Sequence, residues 1–487
     1  MIRNILYMMI LCSFFSCGKE RDQNFIRVSK VNPCYLEYSD DTPFIPVGPN
    51  ICWERFETDE TKVLQLYEQR FRNLSENGGN YTRIWLSAPF FEIEHKKAGE
   101  FDENRVNRID KLLELATKYG IKIKFCLENF RKLTGYSAPF SSSVAFDKPI
   151  YSFDNRGPLG NMDDFFKTQQ GKDLYIDRVA FLASKYANNP TIMGWELWNE
   201  INSVSFSEGI AGELEWTREM LPIVKSYFPH HLVMQSLGSF DNEKYQEWYI
   251  DFSSLSNNEI AQVHRYLDPG ATWDICQAPM DSLASQAVVL LRNMVVDKPV
   301  ILSEVGAVEA HHSGPSKLYE SDTLGVLLHD LIFAPFFSGA AAPGQSWHWQ
   351  YYIEKNNLWW HFGRFSHATA NINPITEQYR PVFFMYDQVR FYCLKGNTHT
   401  LVWCRDALSN WHTELIGNQL PDSRTVKLPL QFLSNKVSDV EQYDPWSDVR
   451  KVAHVVDDTL DITFRRSVIL RFNNENHLFY MESMSNS

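Results

Sequence analysis

Two glutamates close two apolar runs: Trp195-Glu196-Leu197-Trp198-Asn199-Glu200 ends one, and Leu302-Ser303-Glu304-Val305-Gly306 ends the other. An ionised carboxylate at the end of a buried run costs free energy unless it is paired, hydrogen-bonded or put to chemical use. Two such groups can divide acid–base labour. One carboxyl group protonates a leaving oxygen while the other attacks, or directs water at, the carbon that oxygen leaves, as cleavage of a glycosidic bond requires. Arg83 lies in a third run, residues 81–86, and beside Glu304 its guanidinium would hold that carboxylate ionised and lower its pKa. Glu200 must then carry the starting proton in a drier place away from Arg83, so the two pKa values are expected to be pushed apart. Glu196, on the same run, and Glu128, after the run 121–127, are alternative acids.

These ends have to be brought together by the elements that carry them. From residue 44 onward, short apolar runs alternate with amphipathic stretches. The spacing predicts strands at 44–48, 81–86, 121–127, 191–198, 231–236, 259–264 and 299–305, with an eighth inside 338–349. Helices are expected at 60–76, about 106–119, 171–187, 208–227, 280–296 and 320–334. Alternation of this kind implies a parallel sheet covered by helices, and eight units imply an α/β fold of the (β/α)8 barrel type. In such a barrel the chemistry sits at the C-terminal ends of the strands, where Glu200 and Glu304 fall. A helix at about 376–393 is expected to close the barrel. Short strands then follow at 400–403, 413–415, 425–428, 437–443 and 461–472, enough for a small all-β sandwich that caps the barrel. The expected division is therefore a barrel over 35–395 and a C-terminal sandwich over 396–487.

With these residues in view, the chain resembles the retaining glycoside hydrolases of the (β/α)8 clan that includes family 5, the cellulases and endo-mannanases. The resemblance runs over about residues 35–375 and rests on Trp198-Asn199-Glu200 with Ser303-Glu304. It implies that Glu200 is the general acid/base, Glu304 the nucleophile and Asn199 the partner of the sugar 2-hydroxyl. It also sets Arg83 near the nucleophile, matches His264-Arg265-Tyr266 to a His-x-Tyr motif with Tyr266 on Glu304, and puts Trp347 under the cleaved sugar. Ile201 stands where many relatives carry proline. Trp53, Asn50, Asn129 and His348 also fall at predicted strand ends, and Trp53, Asn129 and His348 join the substrate-binding candidates. The stretch 101–129 is similar to endo-mannanases, which makes β-mannan the first substrate expected.

Composition narrows the partners. Lys+Arg 47 against Asp+Glu 60 leaves a net charge of −13, unsuited to an extended nucleic-acid surface. Aromatics make up 14%, a generous supply for stacking on sugar faces. No grouped His/Cys/Asp ligands or phosphate-cradling glycine loop stand out, so no metal or cofactor is expected. Residues 1–17 read as an export signal: Arg3 precedes an apolar stretch too short to span a bilayer, and Ser16 precedes Cys17. That ending is similar to a bacterial lipoprotein signal, which makes Cys17 the acylation candidate, residues 18–34 a tether, and a lipid anchor the only membrane attachment. The other six cysteines outside the signal are scattered singly, and an exported chain permits disulfides among them. Two further readings stand beside hydrolysis: a non-catalytic surface glycan-binding protein on a barrel scaffold, and a transglycosylase.

Overall fold

The computed structural model describes residues 24–129, 149–204, 206–295, 297–429 and 439–474; the signal at 1–17, with Cys17, and the start of the tether lie outside them. The described chain opens with a small antiparallel sheet of β1 (Ile26–Val28), β2 (Leu36–Tyr38) and β3 (Pro43–Phe44). Phe44 pairs backwards with Leu36, so the barrel seam starts later than the run 44–48 suggested. Its first contact is Val47, whose carbonyl accepts from the backbone N–H groups of Asn80 and Tyr81.

Helix α1 (Glu60–Glu76) starts where the Asp59 side chain accepts from the Lys62 N–H, and it buries Val63, Tyr67, Phe71 and Leu74. Strand β4 (Tyr81–Trp85) follows, then α2 (Glu103–Lys118), which ends at Gly120 in the left-handed region. Next come β5 (Lys122–Glu128), α3 (Met162–Lys167), α4 (Gln169–Tyr186) and β6 (Ile192–Trp198). The second half of the ring runs α5 (Gly209–Tyr227), β7 (Leu232–Met234), α6 (Gln246–Ser254), β8 (Ala261–Leu267), α7 (Met280–Met294) and β9 (Val300–Ala307). Strands β4 to β7 pair in parallel, as do β8 and β9, and every residue of β6, β8 and β9 is buried. Burial on both faces is why these strands read as unbroken apolar runs rather than as alternation.

Single residues close the ring. Asn50 bridges Arg83 in parallel, Ser346 bridges Val305, and the Asn50 N–H donates to the Ser346 carbonyl at 2.9 Å. Between β7 and β8, Glu259 N–H donates to Val233 at 3.0 Å and Phe240 N–H to His264 at 2.8 Å. The eighth position falls within 338–349 as expected, as an irregular segment alongside β9: the N–H groups of Ala341, Gln345 and Trp347 donate to the carbonyls of Val300, Leu302 and Val305, with a parallel bridge at Ser346. Pro343 supplies no donor there, and a Cβ at Gly344 would come 2.1 Å from the Leu331 carbonyl oxygen, so the ladder along β9 is interrupted between Ala341 and Gln345.

After α8 (Leu318–Ser321), α9 (Val326–Phe337), α10 (Trp360–Ala368) and α11 (Pro374–Glu377), the chain turns antiparallel. The helix expected over 376–393 is instead a hairpin of β10 (Arg380–Tyr386) and β11 (Val389–Lys395), which places the boundary before Arg380 and corrects the division at 395/396. Gln378 in the left-handed region ends α11, Pro381 removes a helical donor, and Asp387-Gln388, both at positive φ, make a two-residue turn. The sheet adds β12 (His399–Asp406), β13 (Arg424–Pro429), β14 (Asp439–Asp444), β15 (Val449–Val456), β16 (Thr459–Phe464) and β17 (Ser467–Asn473). Residues 413–415 form a helical turn rather than a strand, because the Asn410 side chain caps the N–H groups of His412 and Thr413. The single run expected at 461–472 breaks into β16 and β17 at Arg466, which has φ +66°.

Alternation sorts this sheet's two faces. Phe391, Cys393, Val402, Cys404, Val468 and Leu470 share an inner core with Val426 and Ile462, so the sheet folds over onto itself. Tyr392, Leu394, Leu401, Trp403 and Ile469 point the other way, into the barrel's core. Buried ion pairs join the two parts: Arg405 reaches Asp330 of α9 at 2.6 Å, and Arg390 reaches Asp281 of α7 at 2.5 Å. The sheet is therefore built into the barrel wall.

Candidate active site

Arg83 is the hub. It is wholly buried on β4 and donates from Nε to Glu196 Oε2 at 2.8 Å and from Nη2 to Glu196 Oε1 at 2.7 Å. The same Nη2 donates to Asn199 Oδ1 at 2.6 Å, and Nη1 donates to Glu304 Oε2 at 2.8 Å. Glu196 is also wholly buried, 3.2 Å from the Lys124 ammonium, and Ser236 Oγ donates to it. Burial opposes its charge, but Arg83 and Lys124 outweigh burial and hold its carboxyl below the ordinary range. Glu128 is buried as well, 3.7 Å from Arg178. Neither alternative acid lines the cavity described below.

Glu200 and Glu304 open onto that cavity. Tyr266 donates its hydroxyl to Glu304 Oε1, and His264 Nδ1 lies 2.8 Å from Glu200 Oε1 and 3.6 Å from Glu304 Oε2. One oxygen of each glutamate and the imidazole nitrogen all lie within 4.8 Å of one another. These are donor types that can hold a metal ion, but the Arg83 guanidinium already on Glu304 opposes a cation there. Glu200 has left-handed backbone angles (φ 48°, ψ 58°), which cost about 1–2 kcal/mol for a residue with a Cβ. Its N–H donates to Ser236 Oγ at 3.1 Å, which helps hold the turn.

The two carboxyl groups differ electrostatically. Burial first, and the charge of Glu304 second, push Glu200 well above the ordinary carboxylate range. Burial also raises Glu304, against the pull of Arg83 and Tyr266. Arg83 does pull the pKa of Glu304 down, as expected, but most of its fork is spent on Glu196 and burial outweighs its one contact with Glu304, so the net direction is upward. Burial holds the His264 imidazole well below its usual value, so it is neutral. Chemically, the site offers a proton on Glu200 facing an anchored carboxylate on Glu304.

A cavity of about 440 Å³ opens over the pair. Asn199, Tyr266, Trp347, Trp53 and His348 line it, whereas Arg83 and His264 lie behind Glu304 and Glu200. With Oδ1 of Asn199 held by Arg83, its amide nitrogen is what it can offer a ligand. Trp347 stands 5.4 Å from the rings of both Trp53 and Trp85. His348 is fixed by Tyr319 at 3.0 Å, and burial lowers its pKa to about 3. Asn129 is not part of the lining: it is buried at the end of β5, with both ends of its amide unpartnered among the described residues. The sequence reading missed Arg55, Trp85, Asp241, Tyr245, His311 and His312, which also line the cavity. Trp85 could have been found as the residue two beyond Arg83 on the same strand; the others sit on loops without periodicity.

The family model described as cellulase, glycosyl hydrolase family 5, matches residues 47–327. Mannan endo-1,4-beta-mannosidase 7 of Arabidopsis thaliana is 25% identical over 367 residues, covering 69% of this chain and 81% of that protein. A solved glycoside hydrolase superposes with a TM-score of 0.60 at 12% identity, covering 93% of this chain and 97% of its own. A glycoside hydrolase family 5 structure from Bacteroides vulgatus does so with a TM-score of 0.59 at 13% identity, covering 93% and 94%. These two likenesses show the fold: a barrel with an attached β domain.

Proposed function

The chain belongs to glycosyl hydrolase family 5 and is a glycoside hydrolase, and from that premise we propose that it cleaves a β-mannan-type glycan with retention of configuration. Glu304 attacks the anomeric carbon while Glu200 protonates the departing oxygen, leaving a glycosyl ester on Glu304. Glu200, now a carboxylate, takes a proton from water, and that water breaks the ester. Asn199 and Tyr266 orient the sugar ring and the nucleophile, and Trp347 packs under the ring. The observation that carries this reading is the approach of Glu200 and Glu304 within 4.8 Å. Retaining enzymes hold their carboxyl groups about 5–5.5 Å apart, with no room for a water between them as in inverting enzymes. The mannan preference draws on the Arabidopsis relative.

The test uses the chain from Gly18 onward on β-mannan, glucomannan, cellulose and xylan, with Glu304→Gln as control. Oligosaccharides released from mannan by the wild type alone, with the β-anomer appearing first by NMR, are expected. An α-anomer first would sink the retaining mechanism, and release from another polymer only would replace mannan. Products longer than the substrate, formed when acceptor sugars are added, would mark a transglycosylase. Binding without turnover in both forms would mark a glycan-binding protein. We further propose that Cys17 is acylated after export; a Cys17→Ser chain that still partitions with membranes would refute this.

A further inference from the structure

The catalytic pair stands at one end of the barrel, and the described chain begins at the other. Glu200 lies just past the end of β6, and Glu304 lies on the second half of β9. Asn24 and Phe25 sit where strands begin. The ammonium of Lys122, the first residue of β5, lies 3.5 Å from the Asn24 carbonyl oxygen. The Phe25 ring stacks on His230 at 5.1 Å and meets His231, the residue before β7, edge-on at 5.3 Å. The β1–β3 sheet thus covers the barrel's N-terminal end.

That entry point is fixed. The Asn24 side-chain amide donates to Asp40 at 2.9 Å, and the Phe25 N–H donates to Ser39 Oγ at 2.9 Å. The tether expected over 18–34 is therefore shorter: from Asn24 onward the chain is held by the fold. Cys17 is seven residues from Asn24, a span of at most about 25 Å when fully extended. The seven residues of β6 alone rise about 20 Å between the barrel's ends. To bring the cavity mouth to an anchor at Cys17, the chain would have to clear a ring of helices about 10 Å thick and then climb that height. It is too short to do both.

Resting on the acylation of Cys17 proposed above, we propose that the barrel's N-terminal end is a membrane-docking face. Its partner is the lipid headgroup layer, and the cavity opens away from the bilayer toward glycan in solution. The turn between β1 and β2 exposes Lys30 and Val31 side by side, with Val31 66% exposed. Val31 shares a small depression with Arg292, in the last turn of α7, where helices return to the N-terminal end of the barrel. Lys30 offers an ammonium to lipid phosphates and Val31 an apolar side chain to the interface. Arg27 is matched by Glu37 at 2.9 Å and by Asp41, so the face carries both signs.

The test uses the full chain, exported and acylated in a bacterial host and reconstituted in vesicles of phosphatidylethanolamine and phosphatidylglycerol. Its lysines are acetylated on the vesicles and the labelling is read residue by residue by mass spectrometry. The comparison is the Cys17→Ser chain mixed with the same vesicles. Lys30 should be labelled several-fold less in the anchored chain. Lys317, whose side chain is 86% exposed close to the cavity-lining Pro315, should be labelled equally in both. Protection of Lys317, or of Lys111 on α2, in place of Lys30 would overturn the docking face while leaving the anchor and the hydrolase reading intact. So would equal labelling of Lys30 in the two chains. A wild-type chain that carries no lipid mass on Cys17 and stays off the vesicles would overturn the anchor, and the docking face with it.

Discussion

Glu196 is wholly buried, with Arg83 on both its oxygens and Lys124 at 3.2 Å, whereas Glu200, four residues later, opens onto the cavity and meets the neutral His264. The first is held ionised and the second is pushed toward its protonated form, although one strand delivers both. The difference comes from where the strand stops. Glu196 still lies within β6 and points into the barrel's charged interior, while Glu200 lies past its end, in a left-handed turn that carries its side chain to the cavity. Buried charge is tolerated where cations face it, and proton-holding capacity appears where they do not. Identical substitutions at the two positions should therefore have opposite consequences.

The largest effects concern turnover. Glu304→Gln should lower kcat by about 10⁴-fold or more, since no other group in the site can form the glycosyl ester. Glu200→Gln should cost about 10²–10⁴-fold on a polysaccharide but much less on an aryl glycoside with an acidic leaving group, which needs no protonation. Equal losses on both substrates would remove Glu200 from the acid role. Next comes Glu196→Gln, which leaves Arg83 and Lys124 facing a neutral amide. Breaking a buried pair on one side costs about 3–5 kcal/mol, so denaturant unfolding should show a loss of that size, where Glu200→Gln shows none. An unfolding midpoint unchanged in Glu196→Gln would mean that the floor of the site is not held by charge.

The sequence carried the barrel well because its chemistry sits on regular elements. Runs such as Ile192–Trp198 are buried throughout, so their apolar stretches end where the strands end, and Asn199, Glu200 and Glu304 could be placed with them. The eighth position was obscure because Pro343 and Gly344 interrupt the segment that runs along β9, leaving a single-residue bridge at Ser346. The β10–β11 hairpin was misread because its turn, Asp387-Gln388, lacks the usual glycine and because β10 presents Phe383 and Met385 to solvent. Asp241, His311, His312 and Arg55 reach the cavity from loops, where no periodicity reports direction. The split of Arg83 between two carboxylates was equally invisible, since it depends on distances between strands rather than along them.

A smaller effect tests the balance of charge. The buried cluster holds Arg83 and Lys124 against Glu196, Glu200 and Glu304, so one shared proton makes it neutral. Burial weakens the hold of Lys124 on its proton, while Glu196 strengthens it, and Gln262 accepts from the ammonium. Lys124→Met keeps most of the volume and removes a positive charge, so the carboxylates should retain a second proton to higher pH. The acidic limb of kcat/KM, where Glu304 must ionise, is expected to move upward by about one pH unit, or about 1.4 kcal/mol. A profile lowered in height but unmoved along the pH axis would make Lys124 a packing residue only.

The smallest effect separates the two glutamates without measuring catalysis. Folding raises the pKa of Glu200, so between its unfolded and folded values the native state binds the extra proton. Native stability from this group is present below the unfolded value and is lost as pH rises through the folded one. Glutamine titrates in neither state. Glu200→Gln should therefore gain stability over wild type as pH climbs above about 4, the usual carboxylate range, and the gain should level off once the folded-state value is passed. Glu196 has the opposite sign: its depressed pKa contributes stability above the unfolded value that disappears as pH falls through the folded one. The deficit of Glu196→Gln should accordingly shrink in acid while the advantage of Glu200→Gln grows toward alkali. Two melting-temperature curves that ran parallel across pH would mean that the barrel holds both carboxylates alike, and the division of labour between them would fail.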